Sequence, residues 1–111
     1  MLTGPDVSHW QKVVDWPSVA RQGHAFAWCK ATEEVGFVDD FFARNYPGIR
    51  DTGMVRGAYH FLRREWSAAD QAEHYVRTVQ AHGGFGGALS AVDVETKRFT
   101  AKPGHPTPPP T

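Results

Sequence analysis

The feature that most constrains the fold is an alternation of strand-like and helix-like segments. Four apolar, β-rich runs, at residues 5–9, 25–31, 55–61 and 88–95, each follow a turn signal. Helix signals fill the gaps. Asp15 is placed to cap a first helix, with Pro17 in its opening turn and Gly23 at its end. A second helix is expected over residues 40–52, stopping at Gly53, with Pro47 breaking or kinking it. Ser67 is a natural N-cap for a third, Asp70 follows at its third position, and Ala69, Ala72, Val76 and Val79 mark one face. Gly83 and Gly84 close it. Strands that alternate with helices in this way read as consecutive βα units on a parallel sheet.

Length limits what such a sheet can become. At 111 residues the chain makes one domain, whereas a complete (β/α)8 barrel needs about 200–250 residues. The fourth strand has no helix after it, and an open parallel sheet leaves its outer edge unpaired. The expectation is an α/β fold in which residues 1–96 form a partial TIM-like barrel of about four βα units. Residues 97–111 read as a proline-rich tail or linker, because five of the eight prolines fall within 103–111. Such a composition favours extended backbone and builds no core.

Charge and composition exclude several functions. Twelve Lys+Arg balance twelve Asp+Glu, which argues against a nucleic-acid partner, since such binders carry a basic excess. No apolar run reaches the roughly 18–20 residues of a membrane span, and the N-terminus lacks the basic and apolar regions of a secretory signal. A lone cysteine, Cys29, cannot form an intramolecular disulfide. The six histidines show neither His-Glu-x-x-His nor a zinc-type Cys/His spacing, so no metal and no cofactor are expected.

Side-chain parity along the strands locates the chemistry. In the fourth run, Ala-Val-Asp-Val-Glu puts Asp93 and Glu95 on one face, about 6.5–7 Å apart, and Val92 and Val94 on the other. The valines suit a face packed under helices. The carboxylates fall at the C-terminal end of the strand, where parallel α/β folds place their sites. Asp6 sits at the same end of the first run. Tyr59 shares parity with Gly57 and Phe61 in the third, and Lys30 stands at the equivalent height in the second, followed by a loop carrying Thr32, Glu33 and Glu34. Carboxylates, a tyrosine and a lysine thus converge on one rim. Glycosidic bond cleavage needs a proton for the leaving oxygen and stabilisation of a cationic carbon. Neighbouring carboxylates resist joint ionisation, which keeps one protonated as an acid. The plainer alternative is that Asp93 and Glu95 are solvated strand ends.

Other notable residues have structural readings. Cys29 has the opposite parity to Lys30 and suits an inert thiol packed under a helix. His9 and His60 face away from the rim by parity. The run Gly83-Gly84-Phe85-Gly86-Gly87 lies after a helix and before a strand, the reverse of a phosphate cradle, and reads as a flexible turn. Trp10 suits the cleft mouth, Trp16 and Trp28 suit packing, and Glu34 a solvated loop. Lys30 is placed to pair with a rim carboxylate.

Taken in order, several blocks resemble glycoside hydrolase family 25 lysozymes. They are Asp6-Val7-Ser8-His9-Trp10-Gln11, Asp15-Trp16, and Phe26-Ala27-Trp28-Cys29-Lys30-Ala31-Thr32-Glu33. Gly36-Phe37-Val38-Asp39, Phe42-Ala43-Arg44-Asn45, Gly57-Ala58-Tyr59-His60-Phe61 and Asp93-Val94-Glu95 continue the likeness. The resemblance implies N-acetylmuramidase activity on the β-1,4 bond between N-acetylmuramic acid and N-acetylglucosamine, with bacterial peptidoglycan as partner. It matches Glu95 to the family's proposed general acid and Asp93 to the residue that assists the substrate acetamido group. Asp6 and Glu33 match further acids lining the site, and Tyr59 a sugar-contacting aromatic. Trp10 and Lys30 join them as expected substrate-binding residues.

The same resemblance marks a shortfall, because family members are eight-stranded irregular barrels of about twice this length. A catalytically inactive glycan-binding or structural remnant is the alternative. A chitinase-like fragment, which also uses an Asp-x-Glu pair, fits the opening blocks less well. Self-association or a complementing chain would cover the open edges. With no signal peptide visible, action on the cell wall suits either a phage-type endolysin made in the host cytoplasm or a bacterial enzyme.

Overall fold

The computed structural model describes residues 2–94. Strand β1 (Asp6–Val7) leads through a short 3-10 turn (His9–Gln11) to helix α1 (Trp16–Arg21), strand β2 (Phe26–Glu33) and strand β3 (Phe37–Val38). Helix α2 (Phe42–Arg50), strand β4 (Val55–Phe61), helix α3 (Ala68–Ala81) and strand β5 (Leu89–Asp93) follow. The sheet order is β1-β2-β4-β5, all parallel, as the alternation predicts. Strand β3 pairs antiparallel with the end of β2 and was not foreseen. Two residues on a tight return carry too little periodicity to register as a strand.

Local signals explain the helix boundaries. The Asp15 carboxylate accepts from Ser18 N at 3.1 Å, Pro17 occupies the first turn, and Gly23 leaves with φ +90°. Ser67 Oγ accepts from Asp70 N at 3.3 Å at the start of α3. Helix α2 is shorter than expected, and Pro47 lies inside it without ending it. Its buried face, Phe42, Asn45, Tyr46 and Ile49, outweighs the lost backbone bond.

The core sits between the helices and one face of the sheet. Ala27, Cys29 and Ala31 of β2 and Ala58 of β4 meet Phe42, Tyr46, Ile49 and Val79, none more than 1% exposed. Small strand residues let the helices approach closely. Trp16 is buried against Gly48 and donates to Asn45 Oδ1 at 3.1 Å, in keeping with its packing role. The glycine-rich turn is fastened to this core, since Gly84 O accepts from Tyr46 Oη at 2.9 Å and Phe85 O from Arg56 at 3.4 Å.

Two packing expectations are corrected. The buried face of α3 is Gln71, Tyr75, Thr78 and Val79, whereas Ala69, Ala72 and Val76 are exposed. The sheet beneath α3 presents polar atoms that need partners: Tyr75 Oη donates to Ala58 O at 3.0 Å and also meets Ser90 Oγ at 2.7 Å. Val92 and Val94 are 59% and 54% exposed rather than covered by a helix. Among the described residues β5 has a neighbour on one side only, and no helix lies beyond it.

Candidate functional site

Strand register stacks the rim residues in rows. Asp6, Trp28, Gly57 and Leu89 align across the four parallel strands; Lys30, Tyr59 and Ala91 form the next row; Glu33, Phe61 and Asp93 form the last. The last row depends on a register shift in β2 between Lys30 and Thr32. Strict alternation would place Lys30 and Glu33 on opposite faces. The extra residue, Ala31, turns Glu33 back to the side of Lys30. Glu33 therefore ends a strand instead of sitting in a loop, and the Lys30 ammonium reaches its carboxylate at 2.5 Å.

Asp6, Tyr59 and Asp93 meet in one pocket of about 260 Å3, whose other walls are Trp28, Ala91 and Val92. Burial pushes the Asp6 carboxyl above the usual aspartate range; a hydrogen bond from Tyr59 acts against that shift, and the negative charge of Asp93 adds to it. Burial, then the charge of Asp6, pushes the Tyr59 phenol well above its ordinary value. Tyr59 is thus a fixed hydroxyl donor at neutral pH, beside a carboxyl that holds its proton more readily than a free aspartate. Such a set can donate a proton, orient an amide or hydroxyl group, and stabilise developing positive charge. A larger hollow of about 810 Å3, between α1 and α2, holds none of these groups.

Trp28 was expected only to pack, yet it floors this pocket. Its parity with Lys30, two residues on, was the available signal. The indole lies across Gly57, where any Cβ would collide with it. A glycine at this position lets the ring lie flat on β4.

Lys30 and Glu33 form a second group beside the pocket rather than within it. The Lys30 ammonium is almost buried, and lies 5.2 Å from the Phe37 ring centroid and 5.1 Å from that of Phe61. Glu33 also accepts from Arg63 at 3.3 Å, and Arg63 bonds Glu65 at 3.0 Å. The loop carrying Arg63 is held from below by a buried relay. Gln71 Nε2 donates to Arg63 O at 2.8 Å and Trp66 O at 3.0 Å, so its Oε1 is the acceptor for His60 Nε2 at 2.8 Å. His60 Nδ1 must then accept from Thr32 Oγ1 at 2.6 Å. Burial holds the His60 pKa below its usual value, which keeps this tautomer neutral. The structural reading of His60 fits this arrangement.

His9 is held by Asp39, a buried residue that the sequence did not single out. The Asp39 carboxylate accepts from His9 N at 2.9 Å, His9 Nδ1 at 3.0 Å and Phe41 N at 2.9 Å. Trp10, on the same turn, is 78% exposed. Cys29 is fully buried, its thiol pushed up to about 12 chiefly by burial, consistent with an inert packing role. Glu95 lies outside the described residues, as does the 97–111 segment. Among the described residues no group of three or more His, Cys, Asp or Glu is arranged to hold a metal, and no helix is long and apolar enough to cross a membrane.

Comparison with known proteins places the chain among its relatives. Lysozyme M1 of Streptomyces globisporus is 45% identical over 75 residues, covering 67% of this chain and 26% of that protein. The uncharacterized protein YegX of Escherichia coli K12 is 40% identical over 108 residues, covering 91% of this chain and 39% of its own length. Among solved structures, a family 25 glycosyl hydrolase from Bacillus anthracis superposes with a TM-score of 0.81 at 35% identity, covering 88% of this chain and 44% of that one. The chain thus spans less than half the length of each. The model of the glycosyl hydrolases family 25 matches residues 5–106, and the chain belongs to that family.

Proposed function

We propose that this chain carries the acidic rim of a peptidoglycan-cleaving, lysozyme-type domain, a 1,4-β-N-acetylmuramidase. In this reading its four parallel strands are part of a TIM-like barrel. The observation that carries the proposal is the convergence of Asp6, Tyr59 and Asp93 in one pocket on one side of the parallel sheet, with Asp93 at the C-terminal end of β5. Asp93 orients the acetamido group of the substrate sugar. Tyr59, its proton held by Asp6, accepts a hydrogen bond from a hydroxyl group of the ring being cleaved, and Asp6, with its raised pKa, tempers the negative charge of the cluster. Glu95 supplies the proton to the leaving oxygen, a role that rests on the family likeness. Glu33 and Lys30 wall the adjoining stretch of the cleft.

Release of reducing sugar from purified peptidoglycan tests the reading, with Asp93→Asn and Glu95→Gln in parallel. Activity in the parent is expected to fall by about 10²-fold or more in each variant. A folded parent that releases nothing overturns it. One observation favours a second reading, a glycan-binding remnant without turnover: β5, which bears Asp93, is exposed along its whole length. A second copy or a complementing chain seated on that edge would supply the missing wall, and sedimentation would reveal the assembly.

A further inference from the structure

We infer that Trp10, His9 and Phe37 form a rigid aromatic platform that binds a further N-acetylhexosamine ring of the glycan strand, extending the carboxylate pocket along the rim. The inference rests on peptidoglycan being the substrate, as proposed above, but not on the identity of the catalytic acid.

Exposure is the first argument. Trp10 is 78% exposed, more than Trp66 at 43% or Phe37 at 37%. An indole this exposed makes little contact with the core, so packing does not account for its placement. Rigidity is the second. Ser8 Oγ accepts from Trp10 N at 3.3 Å, and Gln11 Oε1 accepts from Ser8 N at 2.7 Å, closing the turn from both ends. Asp39 fixes the neighbouring imidazole through its ring and backbone nitrogens. The His9 ring then lies 4.7 Å from Trp10 and 6.3 Å from Phe37.

Continuity is the third argument. From Phe37 the contacts pass to the Lys30 ammonium and on to Phe61, the register partner of Asp93. An unbroken line of rings and one buried cation therefore leads from Trp10 to the carboxylate. Pyranose rings present C–H faces that suit such surfaces, while their hydroxyl groups stay in water. A preordered platform loses little entropy on binding, and Trp gives wide contact for few rotatable bonds. A protein partner would need about 800 Å2 per side, whereas this strip is three rings long and flanked by exposed Gln11 and Lys12.

The test is co-sedimentation of the chain with purified insoluble peptidoglycan, using Trp10→Ala, Trp10→Phe, Trp66→Ala and Asp93→Asn. Trp10→Ala is expected to weaken binding about tenfold, with an unchanged circular dichroism spectrum. Trp10→Phe should restore most of the affinity and Trp66→Ala should keep all of it. Parent-like binding by Trp10→Ala, or an equal loss in Trp66→Ala, overturns the platform alone. Failure of the parent to bind peptidoglycan overturns both the substrate and the platform. Binding that depends on Trp10, without bond cleavage by the parent, supports the platform while removing the hydrolytic reading.

Discussion

Two apolar surfaces of this sheet meet different fates. Along β2 and β4, the helix-facing residues Ala27, Cys29, Ala31 and Ala58 are shut under Phe42, Tyr46, Ile49 and Val79. Along β5, Val92 stands 59% exposed, and Val76 on the neighbouring helix is 38% exposed. A groove of about 380 Å3 lies between β5 and α3, lined in part by Leu62, Ala72, Val76 and Val92. Both surfaces read as core in the sequence. Only the first has a helix over it, because each strand of a parallel sheet depends on the connections beside it for cover. An apolar pattern records what a surface is suited to meet, not whether the partner is present.

Substitutions can break that contrast. The largest effect is expected from Ile49→Ala, which empties fully buried volume and should cost about 2–5 kcal/mol in urea unfolding. Gly57→Ala comes next, at about 1–3 kcal/mol, since the new methyl group must push Trp28 off β4; a changed near-UV circular dichroism spectrum would report the displaced indole. Asp6→Asn should act more gently and with a pH signature. The folded-state pKa of Asp6 is raised, so its contribution is complete below about pH 3.9 and is lost as pH rises through the folded value. The variant should therefore unfold at higher temperature than the parent at pH 7, with the gain vanishing towards pH 3. Val92→Ala should change stability by less than about 0.5 kcal/mol. A cost near that of Ile49→Ala would mean that β5 is covered in solution.

Much of the fold was legible because caps and periodicity are local. Asp15, Ser67 and the four apolar runs needed no knowledge of the rest of the chain. The buried face of α3 was not legible, since its selection depends on what the sheet offers: Tyr75 and Gln71 are drawn inward by Ala58 O, Ser90 and His60. Within the site, parity brought Asp6, Tyr59 and Asp93 together before any coordinates. It passed over Trp28, whose floor position requires the bare backbone of Gly57, and Asp39, whose partner His9 lies thirty positions away. Glu33 eluded parity for a different reason, the irregularity at Ala31.

That irregularity has a consequence for how this rim tolerates change. A strand with strict alternation keeps its phase under any substitution, and loses it only when its length changes. Here the phase is reset between Lys30 and Thr32, so the spacing Lys30-x-x-Glu33 carries information that the residue identities do not. A single deletion at Ala31 would set Thr32 and Glu33 in strict alternation after Lys30 and keep Glu33 on the rim, whereas straightening the segment with all its residues kept would send Glu33 towards the helices, parting it from both Lys30 and Arg63. The vulnerable property of this segment is the irregularity itself, and a comparison that scores residue identities alone would overlook it.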